Sequence, residues 1–201
     1  IFTNFKVHTQ YSICEGAIKI EDLADYCKKN KIRSLGLSDS FNLCGALEFS
    51  EVLSDKGIQP IIGCQLPISS KETDLKKLRP TDQISMLFLT KNEVGYRNLM
   101  ELSSKFFLND AYRFDGMSIG EIDKFSDGLI CLSGGDESPI NNLLRDNKFK
   151  EAENLLLHFK RTFGDRFYLE MNRHPLGENF SKKLNTEDNI LDLADKHNLP
   201  L

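Results

Sequence analysis

A chain of 201 residues is long enough for one domain with a substantial core. Its 40% hydrophobic and 28% charged residues are an ordinary soluble balance, and no segment approaches the ~20 apolar residues of a membrane-spanning helix. A net charge of -4 and a pI near 5.6 exclude a dominant nucleic-acid-gripping surface, though not a local basic patch.

In chain order, residues 5–8 (FKVH) read as a first strand. Residues 20–30 read as a helix, with Ile20, Leu23, Ala24 and Cys27 at helical spacing. A strand at 34–37 is followed by a helix at 43–54 carrying Leu43, Leu47 and Val52, and then by a strand at 60–66. The polar stretch 69–82 reads as a solvated loop before a strand at 84–89. A helix over 92–105 has Asn92 as its cap and carries Val94, Leu99 and Leu102, with Gly95 weakening its first turn. Residues 106–117 hold several aromatics without periodicity and read as a lid or a docking surface.

The second half repeats the alternation. Ser118 and Glu121 form a capping-box pattern at the start of a helix over 118–125. A strand follows at 129–133, then a helix at 149–163 with Phe149, Ala152, Leu155, Leu156 and Phe159 on one face. A strand at 167–171 and a helix at 185–197 complete the pattern. The closing DKHNLPL reads as the first step of a seventh strand, so residues 1–201 are expected to be one domain cut from something longer, with its last part missing.

The strands are near-continuous apolar runs, which predicts parallel strands buried on both faces and joined by right-handed helical crossovers. No GxGxxG follows the first strand, which disfavours a dinucleotide-binding Rossmann domain. The fold class expected is α/β, a closed or nearly closed (β/α) barrel with its chemistry at the C-terminal ends of the strands.

Those ends collect the polar residues: His8, Tyr11, Ser12 and Glu15; Asp39, Ser40 and Asn42; Gln65; Gly134, Gly135, Asp136 and Glu137; and Glu170, Asn172 and His174. In FKVHTQYS the residue two before His8 is Lys6, where a second imidazole would share one side of the strand with the first. Asp39 and Asn42 are expected to cap the next helix. His158 and His197 fall in helix patterns and read as structural, and Asp136 and Glu137 read as a solvated turn enabled by glycine. The five cysteines, Cys14, Cys27, Cys44, Cys64 and Cys131, are odd in number and form no CxxC pair. They read as reduced, mostly buried thiols of a cytoplasmic protein. No GxSxG elbow is present.

The segments HTQYS with EGA, LGLSDSFNLCGALEF, GIQPIIGC, GLICLSGG and DRFYLEM, in this order, resemble the PHP (polymerase and histidinol phosphatase) domain found at the N-terminus of bacterial replicative DNA polymerase III alpha subunits. The resemblance covers nearly the whole chain and implies a distorted (β/α)7 barrel. It implies a parent protein that is a DNA-directed DNA polymerase, with its Mg²⁺ site outside this chain. It also implies an epsilon proofreading exonuclease as docking partner, with DNA engaged through the parent protein.

Metal-binding members of that family carry His-x-His in the first motif, Asp-His in the second, Gly-Cys-Glu at the third strand and often a Cys after the fifth. The resemblance places Lys6, Ser40, Gln65 and Gly135 at those ligand positions, leaving His8 and Glu15 as remnants. A protonated lysine has no lone pair and repels a cation, and a neutral amide is a weaker partner than a carboxylate for a hard ion. The expectation is therefore no catalytic residue, no metal and no cofactor in this domain, and a scaffold role. The alternative is an active metal-dependent phosphoesterase, either a 3′–5′ exonuclease or a histidinol-phosphatase relative. Lys6 is expected to pair with Glu15 or Asp39, or else to lie exposed.

Overall fold

The computed structural model describes residues 2–69, 84–172 and 186–201. The elements in chain order are α1 (Ile20–Lys29), β1 (Ser34–Gly36), α2 (Ala46–Asp55), β2 (Gln59–Ile61), β3 (Gly63–Pro67), β4 (Ser85–Thr90), α3 (Glu93–Leu108), α4 (Asp110–Asp115), α5 (Ile119–Lys124), β5 (Leu129–Leu132), α6 (Pro139–Arg145), α7 (Phe149–Phe163), β6 (Phe167–Tyr168) and α8 (Glu187–His197). This is a mixed α/β fold. Among the described residues no helix is long and apolar enough to cross a membrane.

The strands follow one another in chain order. β1 pairs with β2 in parallel, and beyond it Ser40 bridges Gln65 of β3. The four-stranded sheet runs β3-β4-β5-β6. The segment before β1 lies along it through Gly36 N–H to Asn4 C=O and Ser38 N–H to Val7 C=O. This approach requires glycine at 36, because a Cβ there would sit 2.6 Å from Phe5 Cα. Beyond β6, Leu169 N–H donates to Pro200 C=O, and residues 199–201 form no strand.

The all-parallel expectation is corrected. β4 is antiparallel to both β3 and β5, while β5 and β6 are parallel. An apolar run reports burial on both faces, not strand direction, and β4 is buried at five of its six residues. The strand expected over 60–66 is two, β2 and β3, meeting at Ile62, whose carbonyl accepts from Thr90 N–H.

Helical periodicity located the helices well. α7 spans the expected 149–163, and Asn92 caps α3 by accepting from Gly95 N–H at 2.9 Å. Ser118 accepts from Glu121 N–H as the capping-box pattern requires. The Glu121 side chain, however, pairs with Lys124 and Lys105. Residues 106–117, aperiodic in the sequence, are ordered: α3 runs on to Leu108, α4 follows, and Met117 bridges Ile68. The loop expected over 69–82 lies, apart from Ser69, outside the described residues.

Alternation divides the wall into two faces. Cys64, Leu66, Met86, Phe88, Leu129, Cys131 and Phe167 join Leu99, Leu102, Leu156, Phe159 and Phe163 in the main core against α3 and α7. Val7, Leu35 and Leu37 join Ile20, Ala24, Phe49 and Leu53 in a second cluster against α1 and α2. Leu47, Val94 and Phe149, expected to be buried, are exposed on their helices. Cys27, Cys64 and Cys131 are buried, and burial pushes their thiols above the ordinary range; Cys14 and Cys44 are free and exposed.

Two outcomes are expected. Phe159→Ala, which empties a fully buried site touching Phe163 and Phe167, should destabilise the fold by about 3–5 kcal/mol in denaturant titration. Lys124, with Lys105 behind it, holds the Glu121 carboxyl below its ordinary range. A depressed carboxyl contributes stability above its unfolded value, and that stability is lost as pH falls through the folded one. The unfolding midpoint should therefore drop below about pH 4, and Glu121→Gln should remove part of that drop.

Candidate functional site

The face of the wall turned away from the helices carries the polar residues. Lys6 and His8 alternate with Val7, Ser38 and Ser40 alternate with Leu37, and Gln65 lies between Cys64 and Leu66. Ser85 and Leu87 alternate with Met86, and Glu170 follows two residues after Tyr168. Since β4 runs against its neighbours, it contributes its first residue, Ser85, at the rim where the parallel strands contribute their last.

Contacts run around this rim. Ser40 Oγ lies 3.4 Å from His8 Nδ1, and Ser40 bridges Gln65. The Gln65 side-chain amide donates to Ser85 Oγ, and Ser85 C=O packs against Gly134. A Cβ on Gly135 would lie 3.2 Å from Glu170 Oε1. Glu170 Oε1 in turn accepts from Lys6 Nζ at 3.2 Å, two residues from His8. Lys6, His8, Ser40, Gln65, Ser85, Gly134, Gly135 and Glu170 are thus linked by one run of contacts.

The first turn is organised by Asp39, which is fully buried. Its Oδ1 accepts from Thr9 N–H and Ser12 Oγ, both at 2.6 Å, and its Oδ2 accepts from Thr9 Oγ1 at 2.7 Å. The capping role expected for Asp39 and Asn42 is corrected. α2 has Gly45 before its first residue, with no side-chain cap. Asn42 instead accepts from Cys44 N–H and donates to the carbonyls of Tyr11 and Ser40. Tyr11 donates its hydroxyl to Glu48, and this bond to a carboxylate raises the phenol above its ordinary range.

His8 presents one ring nitrogen to three groups. Its Nδ1 is 3.4 Å from Ser12 Oγ, 3.4 Å from Ser40 Oγ and 3.6 Å from Glu15 Oε2. Ser40 also donates its hydroxyl to Glu15. Serine and carboxylate thus meet the same nitrogen, whereas a nucleophile relay needs them on opposite nitrogens of the ring. This cluster does not activate Ser40.

The pairing expected between Lys6 and Glu15 or Asp39 is corrected: Lys6 pairs with Glu170. The reason is occupancy: Asp39 is taken up by Thr9 and Ser12, and Glu15 accepts Ser40. Sequence reasoning placed Glu170 at the mouth but did not find it as the partner, because no local spacing links residues 164 positions apart. Thr9 and Ser85 were missed altogether; their only sequence signal is a small polar residue at a strand end.

The described donor set does not fit the metal cluster held by metal-binding members of the family that the chain resembles. His8 and Glu15 are adjacent, but Ser40 and Gln65 are neutral and Lys6 brings a positive charge. At Gly135 a side chain would collide with the Asn172 amide. Among the described residues no three His, Cys, Asp or Glu groups come together as a metal-holding set. Two other histidines sit elsewhere: His158 pairs with Asp123 and His197 with Glu153. His174 lies outside the described residues. Gly134 and Gly135 have positive φ, which forms the turn through Asp136 and Glu137.

A family model for the PHP domain matches residues 4–174. Three curated relatives bear the name DNA polymerase III subunit alpha. The one from Caulobacter vibrioides is 37% identical over 100% of this chain and 17% of its own length. The one from Borreliella burgdorferi is 37% identical over 86% of this chain and 15% of its own. The one from Campylobacter jejuni is 30% identical over 100% of this chain and 17% of its own. The chain thus spans about a sixth of the length of these relatives.

Asp39→Asn replaces an acceptor oxygen with a donor facing Thr9 or Ser12. It should lower stability by about 1–3 kcal/mol in chemical denaturation. Glu48→Gln, which keeps an acceptor for Tyr11, should cost well under about 1 kcal/mol.

Proposed function

The chain belongs to the PHP domain family, and from that premise we propose that it is the N-terminal PHP region of a bacterial replicative DNA polymerase III alpha subunit. In this reading the parent protein is a cytoplasmic, template-directed nucleotidyltransferase. Its Mg²⁺-dependent polymerase centre and its grip on DNA lie outside these residues. The domain itself does not hydrolyse phosphate esters. It braces the polymerase and offers a docking surface to the separate epsilon proofreading exonuclease. Identity of 30% to 37% over 86% to 100% of the chain to several alpha subunits supports the assignment.

The observation that carries the scaffold reading is the Lys6–Glu170 ion pair at the mouth. An ammonium set against the site's own carboxylate opposes capture of a divalent ion there. The wall is a distorted (β/α)7 barrel in this reading. Strand neighbours that follow chain order support it, as does the ion pair joining the first extended segment to the residue after Leu169. Phe107, Leu108 and Phe114, exposed around the junction of α3 and α4, support 106–117 as the exonuclease-docking surface. The rival reading, a working metal-dependent phosphoesterase, rests among the described residues on His8 and Glu15, and two ligands beside neutral Ser40 and Gln65 and the Lys6 ammonium do not assemble a catalytic centre.

Full-length protein purified without added manganese or zinc should hold substoichiometric metal by mass spectrometry. It should release no nucleotide from DNA 3′ ends when Mn²⁺ or Zn²⁺ is supplied. Two or more ions per chain, with an activity abolished by His8→Ala, would establish the enzyme reading instead. Phe114→Asp should weaken co-purification of the epsilon exonuclease by about tenfold while leaving polymerisation intact.

A further inference from the structure

We propose that the Lys6 ammonium is a covalently held substitute for a site-bound cation, tying the first extended segment to the chain just beyond β6 through Glu170. The inference rests on the scaffold reading above and supplies the means by which the mouth keeps its shape.

Position is the first argument. Lys6 shares its side of the segment with His8, so its chain enters the mouth and not the helical layer. Its Nζ lies 3.2 Å from Glu170 Oε1, and the two side chains are 29% and 12% exposed. A pair this sheltered is screened less than a surface pair.

The need for a cation is the second. Glu170 Oε2 is buried without a hydrogen-bond donor among the described residues. A carboxylate withdrawn from water with one oxygen unanswered requires positive charge close by. Removing either partner therefore harms the site more than removing both, because a lone buried charge is the costly state.

What the pair joins is the third. The segment carrying Lys6 lies on β1 through the Asn4 and Val7 carbonyls, and Glu170 is held from the other side by Ser133 Oγ on its N–H. Each anchor is local. The ion pair spans the mouth between them, as a cation shared by ligands from both segments would. Gly135 keeps the space clear, since a Cβ there would press on Glu170 Oε1 and collide with Asn172.

Hydrogen–deuterium exchange by mass spectrometry on the full-length protein tests this. Peptides covering Gly36 and Ser38, and those covering Leu169 and Glu170, should exchange about tenfold faster in Lys6→Met and in Glu170→Gln. The double variant should exchange no faster than the singles. Lys6→Arg should keep wild-type protection, and wild-type protection should not respond to EDTA or to Mn²⁺. Wild-type exchange rates in Lys6→Met would overturn the tether and leave the scaffold reading standing. So would a loss spread equally over α7, which marks general destabilisation. Loss of protection on adding EDTA to the wild type, together with stoichiometric metal, would overturn both. If Lys6→Met does not fold, Glu170→Gln, which preserves the side-chain shape, decides the question by the same criteria.

Discussion

The side chain of Asp39 is withdrawn completely from solvent, and three donors from one short turn converge on it. Much of the mouth's geometry descends from this. Because Ser12 is held by Asp39, its oxygen stands where Ser40 N–H donates to it and within reach of His8. Ser40 is then set beside Gln65, whose N–H donates back to the Asp39 carbonyl. One buried acid therefore couples the end of the first extended segment to the ends of the next two. A hydrogen-bonded carboxylate is suited to this, since it offers several lone pairs in a fixed plane and is costly to leave unanswered.

The two faces of the wall divide the labour. On the helical face, Phe88, Phe159, Phe163 and Phe167 interlock with the leucines of α3 and α7. Burial of this kind supplies the bulk of the driving force for folding. The opposite face holds small or polar residues at the rim whose identities matter to chemistry far more than to packing. A protein built this way can exchange imidazole for lysine, or carboxylate for amide, at its mouth while the layer beneath still folds. Activity and architecture are separable because they occupy alternate residues of the same strands.

The longer helices were legible because they carry an apolar stripe with a cap or charge signal at an end, as α7 and Asn92 illustrate, whereas the short α4 and α6 were not. Strand direction was not legible. β4 has the composition of its neighbours, and nothing in a six-residue apolar run states which way it points. The aromatic stretch at 106–117 looked irregular because a helix end, a short second helix and a bridge succeed one another within twelve residues. The residue types at the strand ends could be read from the chain, and contacts link His8, Ser40, Gln65, Gly135 and Glu170 among them. Their partners could not be read: Asp39 resembles a cap until Thr9 and Ser12 are seen to claim it, and Lys6 meets a residue from the far end of the sequence.

The placement of sulfur carries a consequence for oxidative stress. Cys27, Cys64 and Cys131 lie in the packed layers as protonated thiols, poor nucleophiles that peroxide cannot readily reach. Cys14 and Cys44 stand in solvent on the two loops that flank Asp39. Sulfenylation or glutathionylation would therefore strike the lip of the mouth and spare the interior. Sulfenic acid and glutathione adducts are reversible states of a thiol, and at these exposed positions a reductant reaches them without unfolding of the core.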